Sequence, residues 1–492
     1  MTQEPRRAWY RELTRYHWFV FLVASACWCF DCLDQRLFSL ARIPALRTVM
    51  QPDDDQATTI ENAASPQAIE QAKVKFEERV QANGKKVTAI FLVGWGIGGM
   101  FFGALGDRFG RARMLTISVL LYSVFTGLTF FSQSYWDFAL CRFVTGLGVG
   151  GVFGLAVALI AETVPDTART GALGMLQVLS TAGNLAAAGF KTLFDYWQRP
   201  DVNIIEANTG WRWMFLVGAL PAFLVIFTGK YLREPEPWLR AKAEGRLPKG
   251  SILSPYAGLL ADKRWRKNLI VGTIIASTGV IGLWGIGEYA VDLQRNVFKT
   301  HFDRVVAAEV AAQAAGGTAP AIDVAVEVRS RVDSAITWSY VLNMIGAGLG
   351  MWAFTRIAMA LGRRKAFAIG FSAALVITLA VYWKMETPEQ AYWMMPLMGA
   401  AQLAVFAGFA IYLPELFPSR LRSTGTSFCY NLGRFAAAAG SLFSAQLATD
   451  VYGDYASPLP LRYSAMTMCA IFVVGLAVLP FAPETKDQPL PE

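Results

Sequence analysis

The sequence predicts an all-α membrane protein of twelve transmembrane helices arranged as two pseudo-symmetric six-helix bundles. Three features carry that prediction: uninterrupted apolar runs of bilayer length, basic residues gathered on alternate connections, and an internal repeat. With 54% of its 492 residues hydrophobic, 17% charged and a mean hydropathy of +0.35, the chain is too apolar to cover a soluble surface with polar groups.

Phe19–Phe30, Leu115–Phe131, Phe143–Ala161, Trp213–Gly229, Leu269–Gly287, Ala366–Trp383, Trp393–Leu413 and Met466–Phe481 each approach or reach the roughly 20 residues a helix needs to cross hydrocarbon. A closed β-barrel also satisfies backbone polar groups in lipid, but its strands alternate apolar and polar residues, and these runs are continuous. The first run is full length, has no small-residue cleavage site after it and leads into charged residues, so it reads as a span and not a signal peptide. Spans are expected near 18–40, 87–105, 114–132, 136–161, 171–191, 211–231, 268–290, 335–355, 365–384, 392–413, 424–446 and 463–481.

Twelve spans put both termini on one side. Arg6, Arg7, Arg11 and Arg15 before the first span, Arg108, Arg111 and Arg113 after the second, Lys263, Arg264, Arg266 and Lys267 before the seventh, and Arg363, Arg364 and Lys365 after the eighth all fall on that side. The positive-inside rule makes it cytoplasmic, in a plasma (inner) membrane. The opposite short connections Ser132–Tyr135 and Leu447–Pro460 carry no lysine or arginine. Two long connections on the outer side, Arg47–Lys86 and Gln294–Asp333, have the Ala/Glu/Lys/Val texture of short amphipathic helices outside the membrane.

The repeat fixes the organisation. Gly110-Arg111-Ala112-Arg113 after the second span matches Gly362-Arg363-Arg364-Lys365 after the eighth, with 362 − 110 = 252. Glu162, Pro165 and Arg169 after the fourth match Glu415, Pro418 and Arg422 after the tenth, each at an offset of 253. Two parallel halves follow, 1–231 and 268–492, joined by a polar linker at 232–267. That arrangement lets one half rock against the other around a central site.

Other classes find little support. The six cysteines all lie in apolar runs, and although Cys29 and Cys32 are one turn apart, a zinc site wants four ligands and the histidines are His17 and His301. Neither a metal nor another cofactor is expected. The net charge of +8 is spread over loops and not gathered in one patch, so topology explains it and nucleic acid is not expected as a partner. No nucleophile–base pair or phosphate loop points to an enzyme.

Gly103-Ala-Leu-Gly-Asp107-Arg108-Phe-Gly110-Arg111-Ala-Arg113 resembles the motif between the second and third helices of the major facilitator superfamily, and the resemblance extends along almost the whole chain. Arg142-Phe-Val-Thr-Gly146-Leu-Gly148-Val-Gly150-Gly151, Trp211-Arg-Trp-Met-Phe, Arg233-Glu-Pro-Glu-Pro-Trp and Pro414-Glu415-Leu-Phe-Pro-Ser-Arg420-Leu-Arg422 resemble its branch of sugar porters and organic-ion transporters. The glutamine pair in the seventh helix and the Gly-Pro with tryptophan in the tenth, usual in sugar porters, are missing here. Phe428-Cys-Tyr430-Asn431-Leu-Gly433-Arg434 and Leu283-Trp284-Gly-Ile-Gly look more like the organic-acid:proton symporters. The resemblance implies a secondary transporter of a small solute, working by alternating access, monomeric in the bilayer. Its glycines would allow close helix approach, and Gly103, Asp107, Arg108, Gly110, Arg111 and Arg113, with Glu162, Arg169, Glu415 and Arg422 in the two halves, would form a cytoplasmic gate. Helix capping and positive-inside charge are the plainer use of these residues.

Charges inside spans carry the mechanism, since each costs about 2.5–3.5 kcal/mol at the bilayer centre on insertion scales. Asp31 and Arg142 sit roughly 10–13 Å below the expected outer surface at about 1.5 Å per residue, a depth match that permits an ion pair. A carboxylate whose proton affinity depends on a movable arginine is what proton coupling requires, and the resembling proton-coupled porters place an Asp and an Arg in these helices. Asp34 competes for the same partner. A permanent structural pair is the other reading. Arg434, with Asn431 one turn away, is suited to hold a substrate carboxylate, or else pairs with Glu288 or a backbone carbonyl; Asn431 and Glu288 are themselves candidate substrate contacts, Glu288 near the outer end of its span. Tyr430 and Trp284 are candidate aromatic walls, and Gln177, Asn184, Asn343 and Gln402 candidate polar lining or helix–helix hydrogen bonds. Arg36 is expected to snorkel to the headgroups. The leading expectation is a proton-coupled organic-acid symporter. A sugar or drug carrier working as a uniporter, and a non-transporting sensor, are the alternatives.

Overall fold

The computed structural model describes residues 8–50, 66–199, 202–206, 208–248, 250–287, 289–315 and 323–491. Its long helices are α1 (Arg15–Val49), α2 (Pro66–Phe109), α3 (Arg111–Leu128), α4 (Tyr135–Thr163), α5 (Asp166–Trp197) and α6 (Gly210–Tyr231) in the first half. The second half has α7 (Lys263–Val280, continued through a π-helical stretch Ile281–Gly287 into Tyr289–Ala315), α8 (Val324–Leu361), α9 (Arg363–Lys384), α10 (Pro388–Glu415), α11 (Arg422–Gln446) and α12 (Leu459–Phe481). Among the described residues eleven of these, all but α11, are long and apolar enough to cross a membrane. The exception has a physical reason. Ser423, Thr424, Thr426, Ser427, Asn431 and Arg434 of α11 are all buried, so its polar face looks into the protein and not at lipid.

Local chemistry sets several helix starts. Ser134 accepts from the Asp137 amide while Asp137 accepts from that of Ser134, a capping box that opens α4. Asp262 accepts the amides of Arg264 and Trp265 at the start of α7, and Asp323 those of Ala325 and Val326 at the start of α8.

The repeat seen in the sequence is also a packing repeat. Helix α2 packs on α4 as α8 packs on α10, and α1 on α5 as α7 on α11. In the first pair a Cβ added to Gly98 would stand 2.0 Å from the Leu147 carbonyl oxygen; in the second, one on Gly350 would stand 2.1 Å from that of Ala400. Only glycine permits backbones this close. The two bundles meet along α2–α11 and α5–α8.

In the two long connections α1 runs on to Val49, α2 already begins at Pro66, α7 reaches Ala315 and α8 starts at Val324, so the described parts continue the spans as a helical pair in each half, while positions 51–65 and 316–322 of the expected short helices lie outside the described residues. Arg47 grips Glu77 through two hydrogen bonds (2.8 and 2.6 Å), and Arg331 grips Glu309 likewise (both 2.9 Å), one bidentate pair per hairpin. The Ala- and Glu-rich composition that suggested helices is the same composition that lets a span continue without a break.

At the opposite face, here the terminal face, both ends of the described chain return to the bundle. The Trp9 ring lies against Gly171 at the start of α5, and the tail past α12 folds under α9.

Candidate functional site

Along α2, Gly99, Gly103 and Gly106 face Asn431, Ser427 and Ser423 of α11; a Cβ on Gly103 would stand 2.6 Å from that of Ser427. This small-residue stripe brings the Asp107 carboxylate onto the start of α11. It accepts from the amides of Ser423 (3.1 Å) and Thr424 (2.8 Å) and from the Thr424 hydroxyl (2.6 Å), tying one half to the other. Arg111 Nη2 lies 3.0 Å from Asp107 and 3.1 Å from Glu162, and also donates to the Ser419 carbonyl. Arg422 Nη1 closes the ring on Glu162 at 2.6 Å. Asp107, Arg111, Glu162 and Arg422 are all buried, and a buried cluster of opposite charges holds only when each member is paired.

The second half repeats the pattern. Arg363 grips Glu415 with Nε and Nη2 (3.1 and 2.7 Å) and reaches across to the Thr170 hydroxyl of α5 (2.7 Å). Arg169 Nε donates to the Ala161 carbonyl (3.0 Å) as Arg422 Nε donates to that of Pro414 (3.1 Å), the same eight-residue step in each half. Two remote carboxylates cap the helices behind the cluster. Glu234 accepts the amides of Ala112 and Arg113 at the start of α3, and Glu484 those of Arg363 and Arg364 at the start of α9. The preceding Gly110 and Gly362 have φ of 114° and 92°, and a side chain there would collide with the capping carboxylate. Glu484 titrates below the usual glutamate range: partial burial pushes its pKa up, but the four amides of Arg363, Lys486, Arg364 and Thr485 outweigh that.

Two expected gate residues fall outside this cluster. Arg108 donates to the Gly250 carbonyl of the linker (2.6 Å), and the Arg113 side chain is exposed. Arg108 is in the last turn of α2 and Arg113 in the first turn of α3, and a count of basic residues does not carry where each side chain goes.

Deeper in the first half, the Arg142 partner is Asp34 and not Asp31. Asp34 Oδ2 lies 3.7 Å from Arg142 Nη1, Asp34 Oδ1 accepts from Thr126 (2.8 Å), and Arg142 Nη2 donates to Thr129 (2.6 Å) beneath the Phe215 ring. Matching depths failed because α1 extends past its expected end and because three residues turn the side chain by about 60° around the helix. Asp31 faces elsewhere: one oxygen accepts from Gln35 (3.1 Å) and the other, fully buried, has no described hydrogen-bond donor.

A second buried cluster lies where the halves meet. The Arg434 guanidinium lies 3.2 Å from the centroid of the Trp95 ring and 4.8 Å from that of Tyr430. Its Nε makes no described hydrogen bond, and no described carboxylate is within ion-pair distance. Tyr430 stacks on Phe153 (3.9 Å), and Trp28 donates to Gln177 (2.8 Å), whose amide in turn reaches the Phe406 carbonyl across the halves (3.2 Å). Asn431 spends its amide on its own helix at Ser427 and leaves its oxygen without a described donor. Trp284, in the π-helical stretch, meets Trp95 edge-on at 6.5 Å. Trp28, Asp31, Trp95, Gln177, Tyr430, Asn431 and Arg434 are each less than 5% exposed, so the centre is closed at both faces. On the side away from the termini Arg36, expected to snorkel, lies 4.0 Å over the Tyr340 ring and bridges α1 to α8.

The remaining candidates go to helix packing. Asn343 donates to the Met395 carbonyl (2.8 Å), Gln402 to Thr378 (2.9 Å) within the second half, and Asn184 to Ser180 of its own helix (3.4 Å). Glu288 lies outside the described residues. Trp95, Trp28, Phe153 and Phe406 were not legible as site residues. The one signal was Trp95 set between Gly94 and Gly96 in mid-span, a large ring where the neighbouring backbones come close.

A profile of the family described as "Sugar (and other) transporter" matches residues 58–253 and 328–492. The chain belongs to this family. It is a multi-pass transporter of the major facilitator superfamily, with two six-helix bundles. A putative metabolite transport protein of Haemophilus influenzae is 27% identical over 83% of this chain and 89% of its own. The cis,cis-muconate transport protein of Acinetobacter baylyi is 27% identical over 81% and 84%. Among solved structures, the proton:xylose symporter XylE superposes with a TM-score of 0.68 at 18% identity, covering 96% of this chain and 98% of that one. At that identity the likeness establishes the fold of this family member and not its solute.

Proposed function

We propose that this transporter is a proton-coupled symporter of a small organic acid. One observation carries the reading. Arg434 is buried where the halves meet, roofed by Trp95 and Tyr430, with an Nε that no described residue accepts from. A planar guanidinium in that setting suits a carboxylate, which it holds with direction as well as charge. The relative named for cis,cis-muconate, a dicarboxylate, is consistent with such a solute.

Asp31 is the proton carrier in this reading. Asp34 and Arg142 sit on α1 and α4 of the same half, and rigid rocking does not part them. Asp31 and Arg434 sit on α1 and α11 of opposite halves, so the same motion changes how strongly the cation acts on the carboxylate. Asp34 and Arg142 then hold α1 in the orientation that points Asp31 inward. Alternating access moves 1–231 against 268–492, with 232–267 as the connecting segment. The terminal face is cytoplasmic in a plasma (inner) membrane, the chain works as a monomer, and it performs no catalysis.

The Asp107–Arg111–Glu162–Arg422 and Arg363–Glu415–Thr170 clusters join the halves at that face, so they act as the gate that must open inward. Tyr430, Asn431, Gln177 and Trp284 line the solute's path. Uptake of radiolabelled cis,cis-muconate, lactate, benzoate and a hexose into proteoliposomes, with and without an imposed pH gradient, tests the whole. Gradient-driven accumulation of an acid supports it. Hexose uptake indifferent to the gradient overturns it.

A further inference from the structure

A cleft of about 170 Å³ opens at the seam between the halves near the terminal face. Its floor is Met175 and Val178 of α5 with Met359 of α8, and the N-terminal 3-10 turn, through Trp9 and Tyr10, overhangs it. At the foot of the cleft the two helices touch without spare room: a Cβ on Gly174 would stand 2.1 Å from Thr355 Oγ1. A ligand seated above that contact therefore touches both halves.

One cation lies on the rim. Arg356 lines the cleft, is exposed, and stacks over the half-exposed Trp352 ring at 5.4 Å. It forms no hydrogen bond or ion pair with a described residue, unlike Arg111, Arg363 and Arg422 a short way off. Arg356 stands five residues before the end of α8 at Leu361, so its Cα is roughly 8 Å inside that end. A lipid-facing guanidinium at this depth is costly without an anion, and its stem is long enough to lift the charge to phosphate level. Tryptophan beside it matches the headgroup zone, where rings sit with one edge in hydrocarbon.

We propose that this cleft binds an anionic phospholipid of the terminal-side leaflet, its phosphate on Arg356 and an acyl chain between α5 and α8. Charge selects the headgroup, because the rim presents a cation and no described carboxylate lines the cleft. The apolar floor distinguishes a lipid from a free phosphate, which would gain nothing from Met175, Val178 and Met359.

Native mass spectrometry of the full-length protein, extracted in mild detergent and offered equal phosphatidylglycerol and phosphatidylcholine, tests this. The wild type retains phosphatidylglycerol preferentially, and Arg356→Gln lowers that retention roughly fivefold, the factor expected for one interfacial cation. Arg356→Lys keeps most of it. Val178→Phe, which fills the floor without touching the charge, lowers it as well. Lys267→Gln, an exposed cation elsewhere on the same face, leaves it unchanged. Unaltered retention in Arg356→Gln overturns the proposal. So does an equal loss in Lys267→Gln, which marks diffuse attraction only, and so does displacement of the lipid by glycerol 3-phosphate, which marks a simple anion site.

Discussion

Asp34 lies 3.7 Å from Arg142 inside one half of the protein, while Asp31, three residues earlier on the same helix, accepts from Gln35 through one oxygen and keeps the other buried without a described donor. The sequence favours Asp31 for Arg142 with Asp34 as competitor; the structure gives Arg142 to Asp34, and the proposed function gives Asp31 to the interface between the halves. The division gives each a different mutant signature.

Asp31→Asn is expected to abolish the stimulation of uptake by a pH gradient while leaving solute exchange across the membrane, because the carrier is locked in one protonation state. Asp34→Asn leaves Arg142 buried without its charge partner, a loss of about 3–5 kcal/mol in comparable cases. Its expected phenotype is a lowered denaturation temperature and poor yield. Gradient-driven uptake that survives Asp31→Asn would show that the proton travels elsewhere.

Arg434→Gln removes the charge from the central site and should raise KM for an acid solute by roughly one to two orders of magnitude, the worth of a hydrogen bond to a charged group. Arg434→Lys keeps the charge but loses the plane that lies over Trp95, so it should recover little of that loss. Uptake kinetics in proteoliposomes separate the two. A lysine variant with wild-type KM would contradict a directional role for the guanidinium.

Gly103→Leu drives a branched side chain into Ser427, whose Cβ already stands 2.6 Å from where a Cβ on Gly103 would be. The α2–α11 contact must part and take the Asp107 bonds to Ser423 and Thr424 with it. The expected result is a protein held open at the terminal face. Double electron–electron resonance between labels on the terminal ends of α2 and α11 should show a longer mean distance than in the wild type.

Glu484 gives the terminal face a pH dependence with a definite sign. Its pKa in the folded chain is below its unfolded value. The stabilisation is therefore fully present above the unfolded glutamate range and is lost as pH falls through the lower, folded value. Thermal denaturation between neutral and acid pH should show this loss in the wild type and a flatter acid limb in Glu484→Gln. Identical profiles would mean that the cap on α9 contributes nothing measurable.

What was legible in the sequence was whatever depends on position along the chain. Runs of bilayer length fixed the spans, and the matched motifs at 110 and 362, and at 162 and 415, fixed the two halves. What was not legible depends on azimuth and on helix length beyond the membrane. Asp31 and Asp34 differ in direction by a fraction of a turn, and the apolar pattern of α1 does not report which side faces the other half. Trp95 became a site residue only when α2 and α11 closed on it. Arg363 was already aligned with Arg111 by the repeat, but as a topological charge; its part in a buried cluster like that of Arg111 emerged only when Glu415 and Thr170 were brought to it.

The sequence by itself determined the membrane class, the count and order of spans, the tandem halves and the presence of buried charge, because each follows from hydrophobic length and repetition along one dimension. The tertiary structure alone decided which charge meets which. Pairing in a helix bundle is set by rotation about each axis and by how closely glycines let neighbours approach, so Arg142 went to Asp34 and left one buried oxygen of Asp31 without a described donor.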